Sequence, residues 1–99
     1  MTIEEIKSGD TLQLNIKGKV DAISAPELQN QVLKSFQKSK NVILNFAEVS
    51  YISSAGLRSL LIGQKTASSK GGKFMLINCN DTIVDVLRVT GLEKVLTIQ

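Results

Sequence analysis

The amino-acid sequence predicts an α/β protein built on a mixed sheet of four to five strands, with an antiparallel N-terminal edge and three to four helices. Near the N-terminus, Leu12, Leu14 and Ile16 alternate with polar residues, which is the two-residue period of a strand with one solvated face. After Gly18, apolar runs alternate with stretches of helical spacing. This alternation indicates parallel strands joined by crossover helices, which are right-handed almost without exception.

The length and composition indicate a single domain spanning residues 1–99. A chain of 99 residues that is 42% hydrophobic and 21% charged supports one core but not two. No apolar run approaches the roughly 20 residues of a membrane span, and the first residues lack the basic-then-apolar order of a signal peptide. We therefore expect a cytoplasmic protein that does not insert directly into a membrane.

Residue types that are rare or missing argue against several classes of function. The chain has no histidine and only one cysteine, Cys79, so neither an internal disulfide nor a Cys/His metal site is expected. Cys79 follows an apolar run, which predicts a buried structural thiol. Without histidine, a catalytic serine has no evident general base. We therefore expect no enzymatic activity, no metal and no cofactor.

The charge pattern argues against nucleic acid as a partner. The formal net charge is +3, but the 12 basic residues are scattered among nine acidic ones, and the only aromatic residues are three phenylalanines and one tyrosine. A nucleic-acid interface gathers basic and aromatic side chains on one face. The positive balance indicates a solvated surface, with weak attraction to an acidic protein partner as the alternative.

The first predicted elements are a strand pair and a helix. Residues 2–6 predict a short strand that turns at residues 8–10 and pairs with the alternating segment. Residues 18–23 break the alternation and lead to a helix start, in which Ser24 is the N-cap and Glu27 completes a capping box. The first turn also contains Pro26, and the apolar stripe comprises Leu28, Val32, Leu33 and Phe36.

The next strand and helix surround a pair of serines. Residues 42–46 are nearly all apolar, which predicts a central strand covered on both faces and followed by a short polar connection. The helix after it runs from Ala55 to about Ser69 and ends at Gly71-Gly72, where a glycine takes the left-handed C-cap conformation.

The last part of the chain predicts one more crossover. Gly63, inside the preceding helix, is expected to allow close packing on the sheet. Residues 73–79 predict a buried strand, and Asn80 or Asp81 caps a third helix. Residues 95–98 form a last short segment.

Ser53 and Ser54 stand at the predicted start of the second helix. A serine there has two possible roles, because its hydroxyl can cap the unpaired N–H groups of the first turn or can itself be a site of chemistry. The residues alone leave both roles open.

Four segments follow one another with an order and spacing that chance does not readily produce. They are Gly18-Lys19-Val20-Asp21, the stretch from Leu44 to Leu57 that ends in Ser53-Ser54-Ala55-Gly56-Leu57, Gly71-Gly72 before an apolar strand, and Val89-Thr90-Gly91-Leu92. Together they resemble the STAS domain of the anti-sigma factor antagonist family. The likeness runs from about Asp10 to the C-terminus and implies a single STAS-like domain.

The resemblance implies a phosphorylation site. In that family the motif commonly reads Asp-Ser-Ser-Gly-Leu or Asp-Ser-Thr-Gly-Leu, and the serine after the aspartate is phosphorylated by a cognate anti-sigma factor that is also a kinase. Alignment on Gly56 and Leu57 puts Ser54 at the phosphoacceptor position, Ala55 at the following Ser/Thr, and Ser53 where the aspartate usually stands. Ser53 is therefore the second candidate acceptor.

The function implied by the resemblance is regulation of sigma-factor-dependent transcription. An unphosphorylated antagonist binds the anti-sigma factor and frees the sigma factor, and serine phosphorylation switches it off. The implied partners are an anti-sigma factor with serine kinase activity and a serine phosphatase. ATP is the substrate of that kinase and not a cofactor of this chain. The alternative is a STAS adaptor subunit without phosphorylation, for example in a lipid-transport complex. The residues expected at the partner surface are Lys19, Asp21, Ser53, Ser54, Ala55, Gly56 and Arg58.

Two positions depart from the family pattern. Ser53 removes a carboxylate beside the acceptor, and Lys19 stands where an acidic residue is common, so the partner surface has a different charge. For Lys19 and Arg58, a merely solvated position is the alternative to partner contact. Because a phosphate at a helix N-terminus faces unpaired N–H groups, we expect phosphorylation to leave the fold intact.

Overall fold

A computed structural model describes all residues 1–99, which form one sheet and one layer of helices. The elements are β1 (Thr2–Ser8), β2 (Thr11–Val20), α1 (Ala25–Lys38), β3 (Asn41–Ile52), α2 (Ser54–Lys70), β4 (Lys73–Ile77), α3 (Asp81–Val89), a 3₁₀ turn (Leu92–Lys94) and β5 (Thr97–Ile98). The spatial order of the strands is β1-β2-β3-β4-β5, with β1 antiparallel to β2 and all other pairs parallel. The predicted mixed sheet with an antiparallel N-terminal edge is confirmed, and β3 is central.

All three helices cover the same face of the sheet. Each crossover moves one strand further in the same direction, so right-handed connections put every helix on one side. Leu14, Leu44 and Leu76 are register partners and are fully buried on that side, in a core of 21 residues that includes positions from every helix. Ile43 points to the other side and is only half-buried. The prediction that the central strand is covered on both faces is wrong, because the strand order never reverses.

The uncovered face carries a ladder of amide side chains that crosses the sheet. Asn15 on β2 donates from Nδ2 to Glu4 Oε1 on β1 at 3.2 Å. Asn45 on β3 donates to Asn15 Oδ1 at 3.0 Å, and Asn78, just after β4, donates to Asn45 Oδ1 at 3.0 Å. The ladder links side chains from β1 to the residue after β4 and uses part of the hydrogen-bonding capacity of each amide.

The central strand is longer than the sequence predicts. A polar connection was expected after Phe46, but β3 continues to Ile52. Its register against β2 shifts once after Asn15 and again after Gly18, and each shift leaves an extra residue in β3. The two bulges bend the strand, so that its buried residues after Phe46 recur every third position, at Val49 and Ile52. This spacing hides the strand from a search for two-residue alternation.

Other element ends differ from prediction by a few residues. β1 extends to Ser8, and β2 continues to Val20 instead of breaking at residue 18. β4 ends at Ile77, because Asn78 has a φ of 60° and leaves the extended conformation. Cys79, predicted inside this strand and buried, lies outside it and is half-buried; its burial raises the pKa of the thiol.

Three glycines in α2 or directly after it have different structural roles. A Cβ on Gly63 would lie 2.6 Å from Cζ of Phe74, which confirms close packing on the sheet. Gly71 has a φ of 69° and forms the left-handed C-cap. Gly72 serves a different purpose, since a Cβ there would lie 1.9 Å from the carbonyl oxygen of Lys40.

The third helix begins as predicted, with Asn80 accepting the Ile83 N–H at 2.9 Å as its N-cap. No helix of the chain is long and apolar enough to cross a membrane.

Candidate functional site at the start of α2

Ser53 is the N-cap of α2. Its backbone is extended, with φ −88° and ψ 173°, and its Oγ accepts the N–H of Gly56 at 3.2 Å. Its own N–H donates to the carbonyl oxygen of Val20 at 2.8 Å, which joins the helix start to the end of β2. The Ser53 hydroxyl is therefore occupied in holding the first turn.

Ser54, the first residue of α2, differs from its neighbour. It is exposed, and its hydroxyl makes no hydrogen bond within the chain. The N–H groups of Ser54 and Ala55 lie in the first turn and have no intrahelical acceptor. An accessible hydroxyl therefore stands beside unpaired donors and the positive end of the helix dipole.

Gly56 is a buried residue that allows the first turn of α2 to pack closely against the ends of two strands. It is buried, and a Cβ would lie 2.7 Å from Cγ1 of Ile52 and 2.8 Å from Cγ1 of Val20. Only glycine lets α2 begin so close to the ends of β2 and β3. Gly56 therefore contributes close packing, and the solvent-facing part of the motif is Ser54.

The loop between β2 and α1 is held by reciprocal hydrogen bonds. Asp21 Oδ1 accepts the N–H groups of Ile23 at 3.0 Å and of Ser24 at 2.9 Å. Ser24 Oγ accepts the Asp21 N–H at 2.9 Å, and its proton lies within reach of Lys19 O or Asp21 Oδ1, each at 3.0 Å. Bonds from the Ser24 N–H and hydroxyl lower the pKa of Asp21. Ser24 is the residue before α1, as predicted, but its side chain fixes this loop and caps no N–H of the helix.

A groove of about 400 Å³ lies between the first turns of α1 and α2. Its floor is tied together by Ser59, whose Oγ lies 3.2 Å from the carbonyl oxygens of Ala25 and Ala55. The exposed Arg58 lies on its lining. The full lining comprises Ala22, Ala25, Pro26, Gln29, Asn30, Ala55, Arg58 and Ser59.

The sequence-predicted site residues gather at the carboxyl ends of β2 and β3. Lys19 and Asp21 are at the end of β2, which the Ser53–Val20 hydrogen bond joins to the start of α2. Arg58 follows Ser54 by one helical turn. Lys19 and Arg58 are exposed, Asp21 and Ala55 are half-buried, and Gly56 is buried.

Two exposed apolar side chains at this end were missed by sequence reasoning. Ile23 is 90% exposed, and Tyr51, the register partner of Lys19, is 50% exposed. Ile23 directly precedes the N-cap of α1, where an apolar residue commonly packs against the fourth helical residue, here Leu28. That staple does not form, and its absence is not readable from the sequence. Tyr51 was missed because it falls in the bulged part of β3.

Residues 2–99 match the family model described as the STAS domain. The chain belongs to the STAS domain family. An anti-sigma-B factor antagonist of Bacillus subtilis (strain 168) is 24% identical over 98 residues, covering 99% of this chain and 90% of that protein. The anti-sigma-B factor antagonist of Staphylococcus epidermidis is 28% identical over 98 residues, covering 97% and 90%.

Three solved structures of similar proteins confirm the fold. TM1081 of Thermotoga maritima superposes with a TM-score of 0.90 at 22% identity, covering 97% of this chain and 84% of that one. The anti-sigma factor antagonist SpoIIAA in its unphosphorylated form gives 0.77 at 17% identity, covering 99% and 87%. Bacillus SpoIIAA in the phosphorylated form gives 0.77 at 19% identity, covering 99% and 91%.

Proposed function

We propose that this STAS protein is an anti-sigma factor antagonist that binds an anti-sigma factor with serine kinase activity and is switched off by phosphorylation of Ser54. The observation that carries the proposal is the difference between the two serines. The Ser53 hydroxyl accepts the Gly56 N–H, whereas the Ser54 hydroxyl is exposed and makes no hydrogen bond. A kinase reaches Ser54 without breaking the helix cap.

The capping role of Ser53 also explains how the motif tolerates the loss of its usual aspartate. Serine and aspartate are both strong N-cap residues, so the local geometry of the helix start is kept while one negative charge is lost. The geometry that presents Ser54 therefore does not depend on a carboxylate at position 53. Ser53 is the second candidate acceptor.

Phosphorylation acts here through charge and bulk on a binding surface. A phosphoserine carries about −1.5 to −2 charges at pH 7. Next to the unpaired N–H groups of Ser54 and Ala55, this charge favours the folded state. The fold persists while the surface offered to the anti-sigma factor changes. A serine phosphatase resets the switch, and the cycle runs in the cytoplasm, where sigma factors and ATP are present.

The test uses purified protein, ATP and each candidate anti-sigma kinase encoded in the source genome. Intact mass reports added phosphate, peptide mapping locates it, and pull-down of the kinase reports binding. Ser54→Ala should abolish phosphate incorporation and keep kinase binding. Ser53→Ala should still be phosphorylated, with a loss of about 1 kcal/mol in unfolding free energy from the missing cap. Ser54→Ala should change that free energy by less than about 0.5 kcal/mol.

Each outcome has a distinct meaning. Phosphate on Ser54 that also releases the kinase supports the switch. Phosphate on Ser53 alone would contradict the assignment of the acceptor. Stable binding with no phosphate from any kinase would overturn the switch in favour of a STAS adaptor, for which copurification with a transporter ATPase is the direct check.

A further inference from the structure

Two exposed cations at the same end of the fold as Ser54 form no ion pair within the chain. Lys19 and Arg58 are both exposed. The three ion pairs of the protein involve other residues, namely Lys17–Glu48, Lys38–Glu5 and Arg88–Asp85. Lys19 precedes Val20, whose carbonyl accepts the Ser53 N–H, and Arg58 follows Ser54 by one turn of α2. Lys19 and Arg58 therefore lie at the same end of the fold as the proposed phosphoacceptor.

The acidic group nearest in sequence to Lys19 is already committed to hydrogen bonds within its own loop. Asp21 Oδ1 accepts from the N–H groups of Ile23 and Ser24, and the Ser24 hydroxyl lies 3.0 Å away. Glu27 lies one turn before Gln31, whose side chain bonds to Glu5 on β1, so Glu27 belongs to the side of α1 that faces away from α2. Asp21 keeps its negative charge, because the hydrogen bonds it accepts lower its pKa, so Lys19, Arg58 and Asp21 together leave one net positive charge at this end of the fold.

The same surface exposes an apolar side chain on a rigid support. Ile23 is 90% exposed although its N–H is fixed by Asp21 at 3.0 Å. Tyr51 adds a half-exposed ring beside Lys19. Because the Ile23 backbone is already held by Asp21, docking has to order only its side chain.

We propose that the partner covers Ser54 with an acidic surface, in which carboxylates face Lys19 and Arg58 and an apolar pocket receives Ile23. This inference rests on the proposed function and names the chemistry of the docking face on the anti-sigma kinase. It also gives phosphorylation a physical action. A phosphate of about −1.5 to −2 charges on Ser54 outweighs the positive charge of this end of the fold that attracts the partner.

The test measures association and dissociation rates of the unphosphorylated protein with the purified kinase that binds it. Lys19→Glu and Arg58→Glu should each slow association about tenfold at low ionic strength, and the difference should shrink in high salt. Lys40→Glu is the matched control, because Lys40 is exposed, makes the same charge change and precedes β3 at the opposite end from Ser53. It should alter association less than about twofold. Ile23→Ala should speed dissociation about tenfold.

The results separate this inference from the function on which it rests. A kinase that binds, with association unchanged or faster in Lys19→Glu and Arg58→Glu, overturns the acidic docking face and leaves the antagonist function standing. Dissociation unchanged in Ile23→Ala overturns the apolar pocket. If no anti-sigma kinase binds the wild-type protein, the proposed function is wrong and this inference falls with it. Urea unfolding of each variant establishes that the fold is retained.

Discussion

Ser53 and Ser54 have the same side chain but different surroundings, because only the hydroxyl at the N-cap position is directed at the N–H groups of the first turn. Ser53 Oγ takes the Gly56 N–H, and Ser54, one residue on, faces solvent. The sequence placed both at the helix start but left their roles open, since either hydroxyl satisfies the capping pattern. The choice depends on the backbone of Ser53, which is extended and anchored to Val20.

The hydrogen-bond partner of the Ser24 hydroxyl was likewise not readable from the sequence. Its position before α1 followed from the capping pattern, but its hydroxyl is used by Asp21, Lys19 and the loop between them. A partner two or three residues upstream competes with the helix for the same side chain. Sequence patterns identify candidate capping residues and do not show which of two local bonds forms.

The carboxylate of Asp21 gives the protein a predictable acid response. Its pKa in the folded state is lowered, chiefly by the hydrogen bonds from Ser24. The stabilisation is therefore fully present above the unfolded-state pKa, near 3.8, and is lost as pH falls through the lower folded-state value. Asp21→Asn keeps an acceptor for the loop and removes the charge. Unfolding free energies of both proteins, measured by urea between about pH 6 and pH 2, should converge as the pH falls. A constant difference across that range would contradict the assignment.

At the scale of elements, the crossover units were predictable and the bulges were not. Apolar runs and helical spacing identified β3, α2, β4 and α3, because burial on one helical layer imposes those periods. The end of β3 was missed because two extra residues change its buried spacing from two to three, at Phe46, Val49 and Ile52. A bulge depends on pairing with β2, which is information from another part of the chain.

The adjacent glycines between α2 and β4 should respond differently to the same substitution. Gly71→Asn should cost no more than about 1 kcal/mol of unfolding free energy, because asparagine tolerates the left-handed C-cap and a Cβ there meets nothing within 4 Å. Gly72→Asn should cost more than about 3 kcal/mol, because its Cβ would overlap the Lys40 carbonyl oxygen. Urea midpoints of the two variants measure the contrast. Equal losses would mean that the contact between position 72 and the Lys40 carbonyl oxygen relaxes at little cost.

At the scale of the whole molecule, the order of the strands determines which faces of the sheet the helices cover. The parallel crossovers and the antiparallel edge were predictable from the order of elements, but the assumption of two covered faces was not justified. The nearly apolar segment of β3 also contains Asn45, which faces the uncovered side and accepts a hydrogen bond from the Asn78 side chain. The two-residue period of a strand puts Asn45 on the same face as Ile43, so this one polar residue already marked the solvated side.

The folded molecule should accept negative charge at Ser54 without loss of stability. Ser54→Glu places a carboxylate at the positive end of α2 and should raise the unfolding free energy by up to about 1 kcal/mol. Ser69→Glu is the control, because it introduces the same exposed group in the last turn of α2 and should lower stability by a similar amount. Thermal unfolding at low ionic strength compares the pair. A large destabilisation by Ser54→Glu would show that charge at this position disrupts the fold.

The amide ladder on the uncovered face affects whether separate copies of the protein stack on one another. Bare sheet faces stack on one another at a spacing of about 10 Å and grow into fibres when their side chains interdigitate without water. Here Asn15, Asn45 and Asn78 hold their amides in fixed directions across the sheet, and stacking would strip water from groups that have hydrogen-bonding capacity left over. We therefore expect the polar row that weakens the apolar pattern of β3 to oppose stacking of the uncovered face on a second copy.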